Sequence, residues 1–215
     1  MRLLHTVLLA ILLALSPVAN AEPTAQDVVT AVEATYKDVQ SLSASFVQVT
    51  RSSMGEVRQQ GSVQLKRPRM MRWDFTEPAT SSFITNGSTL WVWAADQNQV
   101  IVTDDLSGAA SGNDMSQLLD DLSKLGELFN VETVGQEAGS HTLQLTPKTP
   151  STSIKQLQIV VSSDAYTLQR IVVVDSFDAV VELDFTGVSL NTDISDERFN
   201  FAAPEGATII KTDGI

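Results

Sequence analysis

From residue 44 onward the chain is a series of short runs in which apolar and polar residues alternate, each closed by a turn signal. Alternation with period two sends successive side chains to opposite faces, the mark of a half-buried strand. The runs are Ala44 to Arg51, Ser62 to Arg67, Met70 to Thr76, Ser82 to Thr85, Thr89 to Ala94, Gln99 to Thr103, Glu127 to Val134, His141 to Thr146, Ile154 to Ser162, Tyr166 to Val174, Val180 to Thr186 and a closing run near Phe199 to Phe201. Asn86-Gly87 is the strongest short hairpin signal among the breaks between them, and Ser163-Asp164 and Ser176 to Asp178 read as turns. A series of about ten or eleven strands with no helical crossovers implies a mainly β fold: one antiparallel meander, a barrel or a strongly curved sheet.

Two segments keep a different period. Thr24 to Leu42 opens on Thr24 and Asp27, which resemble a capping box, and Val28, Val32, Tyr36 and Val39 then recur at helical spacing. In Asp114 to Leu125 the residues Met115, Leu118, Leu119, Leu122 and Leu125 make one stripe, with Asp120, Asp121 and Lys124 opposite. Glycines at both ends of this second helix, Gly108 to Gly112 before it and Gly126 after, suit an element that moves.

The first residues read as a leader. Arg2 is a short basic start, an apolar stretch runs from Val7 to Leu15, Pro17 breaks it, and Ala19-Asn20-Ala21 fits the small-x-small cleavage pattern. The stretch is shorter than the roughly 20 residues that span a bilayer. Residues 1–21 are therefore expected to be a cleaved signal peptide, and 22–215 one domain. The sequence has no cysteine, which rules out disulfides, thiol chemistry and a thioether-linked lipid on the chain itself. A formal charge of −12, more negative still once Arg2 is removed, repels nucleic-acid phosphates and anionic lipid surfaces.

Little in the chain resembles catalytic machinery. His141 is the one histidine after the leader, too few for the usual zinc sets, and its place beside Gly139-Ser140 suggests an exposed strand start. There is no G-x-S-x-G, no Walker loop and no dinucleotide fingerprint. Acidic residues are plentiful but scattered along the outer faces of strands. No enzyme activity, metal or cofactor is expected.

One residue breaks the pattern in an informative way. Val63, Leu65 and Arg67 share a strand face, and after Pro68 the next strand places Met71, Trp73 and Phe75 on one face. Two neighbouring strands thus present a wide apolar surface carrying one arginine. A guanidinium there is costly unless its donors find acceptors, and the last carbonyls of a helix lack partners of their own. If both amphipathic helices lie across the concave side of the sheet, Arg67 can bind their terminal carbonyls and latch them. The other reading places Arg67 at a strand end, paired with a surface acid. Trp73 and Phe75 read equally as ordinary core, and Trp91 and Trp93 share a face whose side the pattern leaves open, since Leu90 and Val92 oppose them.

The residues that break into words resemble the LolA family of periplasmic lipoprotein carriers. Ser43-Ala44-Ser45-Phe46-Val47-Gln48 follows the first helix; Gly61 leads to Lys66-Arg67-Pro68 and then Arg72-Trp73; Asn86-Gly87 precedes Leu90-Trp91; Gln99-Val100 opens the next strand; Phe199-Asn200-Phe201 leads to Pro204-Glu205-Gly206. The words keep the family's order across nearly the whole of 22–215. The resemblance implies an incomplete, half-open antiparallel barrel whose concave apolar face is covered by the N-terminal helix and a short lid helix. It implies a soluble periplasmic chaperone, a monomer, that takes lipoprotein acyl chains from the inner-membrane ABC exporter LolCDE and passes them to the outer-membrane receptor LolB. The arginine of the family's K-R-P word, here Arg67, would latch the closed form, and the tryptophan of the R-W word, here Trp73, would lie against the acyl-chain cavity. With the helical stripes, the expected cavity residues are Val32, Tyr36, Val63, Leu65, Met71, Trp73, Phe75, Met115, Leu118, Leu119 and Leu122. The chain departs from the family at Arg69, at Asn113-Asp114-Met115-Ser116, where a lid proline is usual, and at Ala202-Ala203, where a proline pair is common. A carrier or sensor of the same fold with another lipid or glycolipid as ligand is the alternative.

Overall fold

The structure is a computed structural model that describes residues 22–104, 118–137, 139–149 and 154–212. The proposed leader, Gly108 to Gly112, Asn113 to Ser116 and with them Met115 lie outside the described residues.

Helix α1 (Ala25–Tyr36) starts where the capping signal places it. Asp27 N–H donates to Thr24 Oγ1 at 3.2 Å and Thr24 N–H to Asp27 Oδ2 at 2.9 Å, so two otherwise unpaired backbone donors are satisfied. The helix ends earlier than its apolar spacing suggests, because Leu42 already belongs to the first strand. Strands β1 (Ser41–Ser52), β2 (Gly55–Lys66), β3 (Met70–Glu77), β4 (Ser81–Asn86), β5 (Leu90–Ala94) and β6 (Gln99–Thr103) then form an antiparallel meander. Two short helices, α2 (Leu118–Leu122) and α3 (Leu125–Leu128), precede a second meander of β7 (Phe129–Glu137), β8 (Ser140–Pro147), β9 (Ile154–Ser162), β10 (Leu168–Asp175) and β11 (Val180–Leu190). A 3-10 turn (Asp196–Phe199) and strand β12 (Thr208–Thr212) close the chain.

Antiparallel pairing of β1 with β11 joins the two meanders into one sheet, in the order β12-β6-β5-β4-β3-β2-β1-β11-β10-β9-β8-β7. Its two outermost strands, β12 and β7, do not pair with each other among the described residues, so the barrel is incomplete. Gly61 shows how tightly the sheet bends. A Cβ built there would stand 1.9 Å from the Asp74 carbonyl oxygen, and the pairing of β2 with β3 shifts register at Gln60/Gly61. Any side chain would push the two strands apart.

Directly opposed residues share a sheet face. Ala44, Val63, Trp73, Phe83, Val92 and Ile101 form one such rung, on the concave side. α1 and α2 pack over that side, and the main core runs continuously from Val28, Val32 and Tyr36 of α1 through Phe46, Val63, Leu65 and Trp73 to Leu143, Ile159, Ile171 and Phe185.

Three sequence expectations need correction. The sheet has twelve strands. The additional pairing comes from the C-terminus, where Phe199 sits in the 3-10 turn and the last strand is Thr208–Thr212, laid parallel to β6. Phe199 and Phe201 are apolar because they cap the convex face: Phe199, Ile84, Val100 and Ile194 are buried there, and Phe201 packs on Trp93 with ring centroids 6.1 Å apart. Trp91 and Trp93 therefore lie on the convex side, opposite Trp73. The third correction is His141. It is buried rather than exposed, stacked on Tyr166 at 5.9 Å with the rings 8° from parallel. Its aromatic cover comes from Tyr166 in the turn between β9 and β10, and nothing in the sequence around His141 announces that partner.

Candidate functional site

Arg67 follows the last residue of β2, and its backbone N–H donates to Gln40 O at 2.9 Å. That bond ties the end of β2 to the chain leaving α1, so the guanidinium emerges beneath both helices. Nη1 donates to the carbonyls of Tyr36 at 3.4 Å, Lys37 at 3.3 Å and Val39 at 2.5 Å. Nη2 donates to Leu119 O at 2.6 Å and to Ser123 Oγ at 3.3 Å, while Nε donates to Asp120 Oδ1 at 2.8 Å. One side chain, only 15 % exposed, thus grips the C-terminal end of α1 and the body of α2. Both sequence readings of Arg67 hold in part: it takes helix carbonyls and it also pairs with an acid, but the acid belongs to α2. The helix-end carbonyls carry partial negative charge, which suits a cation, and the neighbouring carboxylate offsets the cost of burying it.

The helices are also tied to one another and to the sheet. Gly126 N–H donates to Glu33 Oε1 at 2.8 Å, joining α3 to α1. Lys148 Nζ donates to Gly126 O. The Tyr36 hydroxyl accepts from Leu168 N–H at 2.9 Å, which anchors α1 on β10, and Thr35 Oγ1 donates to Ala165 O at 3.2 Å. Burial raises the Tyr36 phenol above its ordinary range, and the Leu168 N–H acts in the opposite direction.

Beneath this roof the structure gathers the expected cavity residues. Val32, Tyr36, Val63, Leu65, Met71, Trp73, Phe75, Leu119 and Leu122 belong to one buried cluster, and Leu118 packs against it half-buried. Leu42, Val63, Leu65, Trp73, Leu118, Leu168, Phe185 and Val188 line a wholly apolar seam between sheet and lid, with gaps too narrow to seat a water molecule. The helices therefore stand closed on the sheet. Sequence reasoning missed Phe185, Leu168 and Val188 because they come from the second meander. Phe185 sits in a clear alternation, Val181-Glu182-Leu183-Asp184-Phe185, but only the long-range pairing of β11 with β1 turns that face toward the seam. Phe46 could have been found: Ala44 and Phe46 alternate with Ser45 and Val47, and Phe46 meets the Trp73 ring at 4.8 Å.

Trp73 stands at the centre of this seam. Its indole packs against Phe46, Phe75 and Phe185, with centroids 4.8, 6.5 and 6.3 Å away, and the residue is 5 % exposed. Its Nε1 is buried without a hydrogen-bond acceptor. A donor left unpaired in this way costs about 1–3 kcal/mol. No group of three or more metal-ligating side chains occurs among the described residues.

An open antiparallel half-barrel with an apolar concave face, roofed by helices that one guanidinium bridges, defines the class: a helix-covered β half-barrel. Comparison with known proteins gives the particular family. The model for "Outer membrane lipoprotein carrier protein LolA" matches residues 37–202, and the chain belongs to that family. The outer-membrane lipoprotein carrier protein of Hahella chejuensis is 30 % identical over 214 residues, 98 % of this chain and 99 % of the relative. That of Azotobacter vinelandii is 30 % identical over 98 % of this chain and all of its own length. Among solved structures, an uncharacterised conserved protein from Thermus thermophilus aligns with a TM-score of 0.55 at 13 % identity, covering 87 % of this chain and 99 % of its own, a likeness of fold alone.

Proposed function

We propose that this chain is a periplasmic lipoprotein chaperone, exported on residues 1–21, whose domain 22–215 works as a monomer. It takes lipoproteins by their acyl chains from LolCDE and delivers them to LolB, catalysing no reaction. The physical problem is solubility: each buried methylene is worth about 0.8 kcal/mol, so a long acyl chain is strongly driven out of water and needs an apolar shelter during transit. The seam roofed by α1 and α2 supplies that shelter when the helices lift. On this reading Val32, Tyr36, Val63, Leu65, Met71, Trp73, Phe75, Leu118, Leu119 and Leu122 are the residues that meet the acyl chains.

Delivery needs the opposite tendency. The observation that carries the proposal is that Arg67 hydrogen-bonds α1 and α2 at once. Those bonds exist only while the roof is down, so closure competes with cargo and favours release. Replacing Arg67 with leucine removes the competition without removing the apolar lining. The expected phenotype is a carrier that loads but accumulates with lipoprotein bound. Transfer is measured by incubating loaded protein with outer-membrane receptor and following lipoprotein in each fraction. Hand-over by Arg67→Leu at the wild-type rate would end the latch reading.

A further inference from the structure

Trp73 lines the apolar seam, and its indole nitrogen is buried with no hydrogen-bond partner in the closed structure. The neighbours of that ring are aromatic or aliphatic, namely Phe46, Phe75 and Phe185 in ring contact and Val63 and Phe83 opposite it on β2 and β4. A fully buried N–H in such surroundings is disfavoured, and native interiors rarely keep one without a partner. Phenylalanine would fill much of the same space with no donor to satisfy. In the closed arrangement the donor therefore serves no bond.

We propose that the Trp73 N–H is the polar recognition group of the seam and donates to the carbonyl oxygen at the root of an acyl chain. The inference rests on the carrier reading and adds to it a chemical preference. A ligand whose chains are joined through ester or amide carbonyls supplies an acceptor where the methylenes begin, whereas an alkyl ether offers a much weaker one. Discrimination comes from pairing a group that is otherwise unpaired, which is how a small number of polar atoms in an apolar site fix both orientation and specificity. It also sets how deep the cargo sits, because the chain can advance only until its carbonyl reaches the indole.

The test uses the full mature chain and two matched probes, a diacylglycerol and a dialkylglycerol with chains of the same length. Each competes with a fluorescent fatty-acid analogue, and the side-chain N–H signal of Trp73 is followed in ¹⁵N-labelled protein. Wild type should prefer the diacyl probe about three- to tenfold, the range of one neutral hydrogen bond, and only that probe should move the Trp73 N–H signal downfield. Trp73→Phe should bind both probes alike. If wild type binds the two equally and the N–H signal responds to neither differently, the recognition role falls while the carrier reading stands, the N–H being satisfied by a facing phenylalanine ring. If wild type binds neither, the carrier reading falls and takes this inference with it. The wild-type comparison needs no variant, so poor folding of Trp73→Phe cannot leave the question open.

Discussion

Tyr36 ties three parts of the molecule together at one side chain. Its backbone carbonyl accepts from Arg67, its ring is fully buried in the core, and its hydroxyl accepts from Leu168 N–H. Tyr36→Phe keeps the ring and leaves the Leu168 N–H without an acceptor, so a loss of about 1–3 kcal/mol is expected on chemical denaturation. The same phenol carries a pH dependence. Its folded pKa lies above the ordinary value of 10.0, so its contribution is fully present below that value and is lost as pH rises through the raised one. The wild type should lose stability above about pH 10 more steeply than Tyr36→Phe, and parallel alkaline slopes in the two would contradict the assignment. Arg67 stands out in the sequence because it is a charge in register with an apolar strand face, whereas Trp73 reads equally as ordinary core and is singled out only by the family resemblance. Sequence did not reveal the burial of His141, whose cover comes from Tyr166, 25 residues away along the chain. Single-residue chemistry is legible when the anomaly and its cause share a segment.

At the scale of elements, the local code was strongest where a motif satisfies its own backbone. Thr24 and Asp27 fix the start of α1 without help from the rest of the fold. Thr24→Ala should cost about 1 kcal/mol, read as faster amide exchange in the first turn of α1 with the strands unchanged. Hydrogen bonds from the Thr24 side chain, then its backbone, hold the exposed Asp27 carboxyl below its ordinary 3.8. A depressed folded value means that the cap contributes above the unfolded pKa and loosens as pH falls through the folded one. Without the threonine hydroxyl, fraying in acid should begin at a higher pH. Elements whose order depends on neighbours were misread. The first half of β2, Gly55 to Gln60, is mostly polar and extends as a strand because it pairs with the outer half of β1. β12 is a strand because β6 offers it an edge, while the aromatic run at Phe199–Phe201 that resembled a strand serves as a cap on the convex face. There, Asn200 Oδ1 accepts from Asn86 Nδ2 at 3.2 Å and Arg198 O accepts from Arg72 Nη1 at 3.2 Å. Residues that read as separate words along the sequence thus meet on the back of the sheet.

For the whole molecule the decisive relation is between the continuously paired sheet and the helices laid on its concave face. The two meanders are stitched through β1 and β11 by continuous backbone pairing over Ser45 to Arg51, and separating them would break the sheet. Among the described residues the roof is held instead by side-chain ties, namely the guanidinium of Arg67, the Glu33–Gly126 and Lys148–Gly126 bonds, the Tyr36–Leu168 bond and the Thr35–Ala165 bond, together with apolar contact. With the roof down, the seam has no room even for water. The proposed function therefore requires α1, α2 and α3 to move away from the sheet for cargo to enter, since compressing a close-packed interior is not an available route. Because Arg67 spans α1 and α2, and Glu33 spans α1 and α3, the three helices should respond as one body. Amide hydrogen exchange on empty and acyl-loaded protein should therefore show faster exchange in α1, α2 and α3 together on loading, with β1, β2, β3 and β11 unchanged. Arg67→Leu should shift the empty protein part of the way toward that loaded pattern. Exchange that rises in α2 alone, with α1 as protected as before, would mean that the N-terminal helix is a fixed wall and that only one side of the Arg67 grip opens.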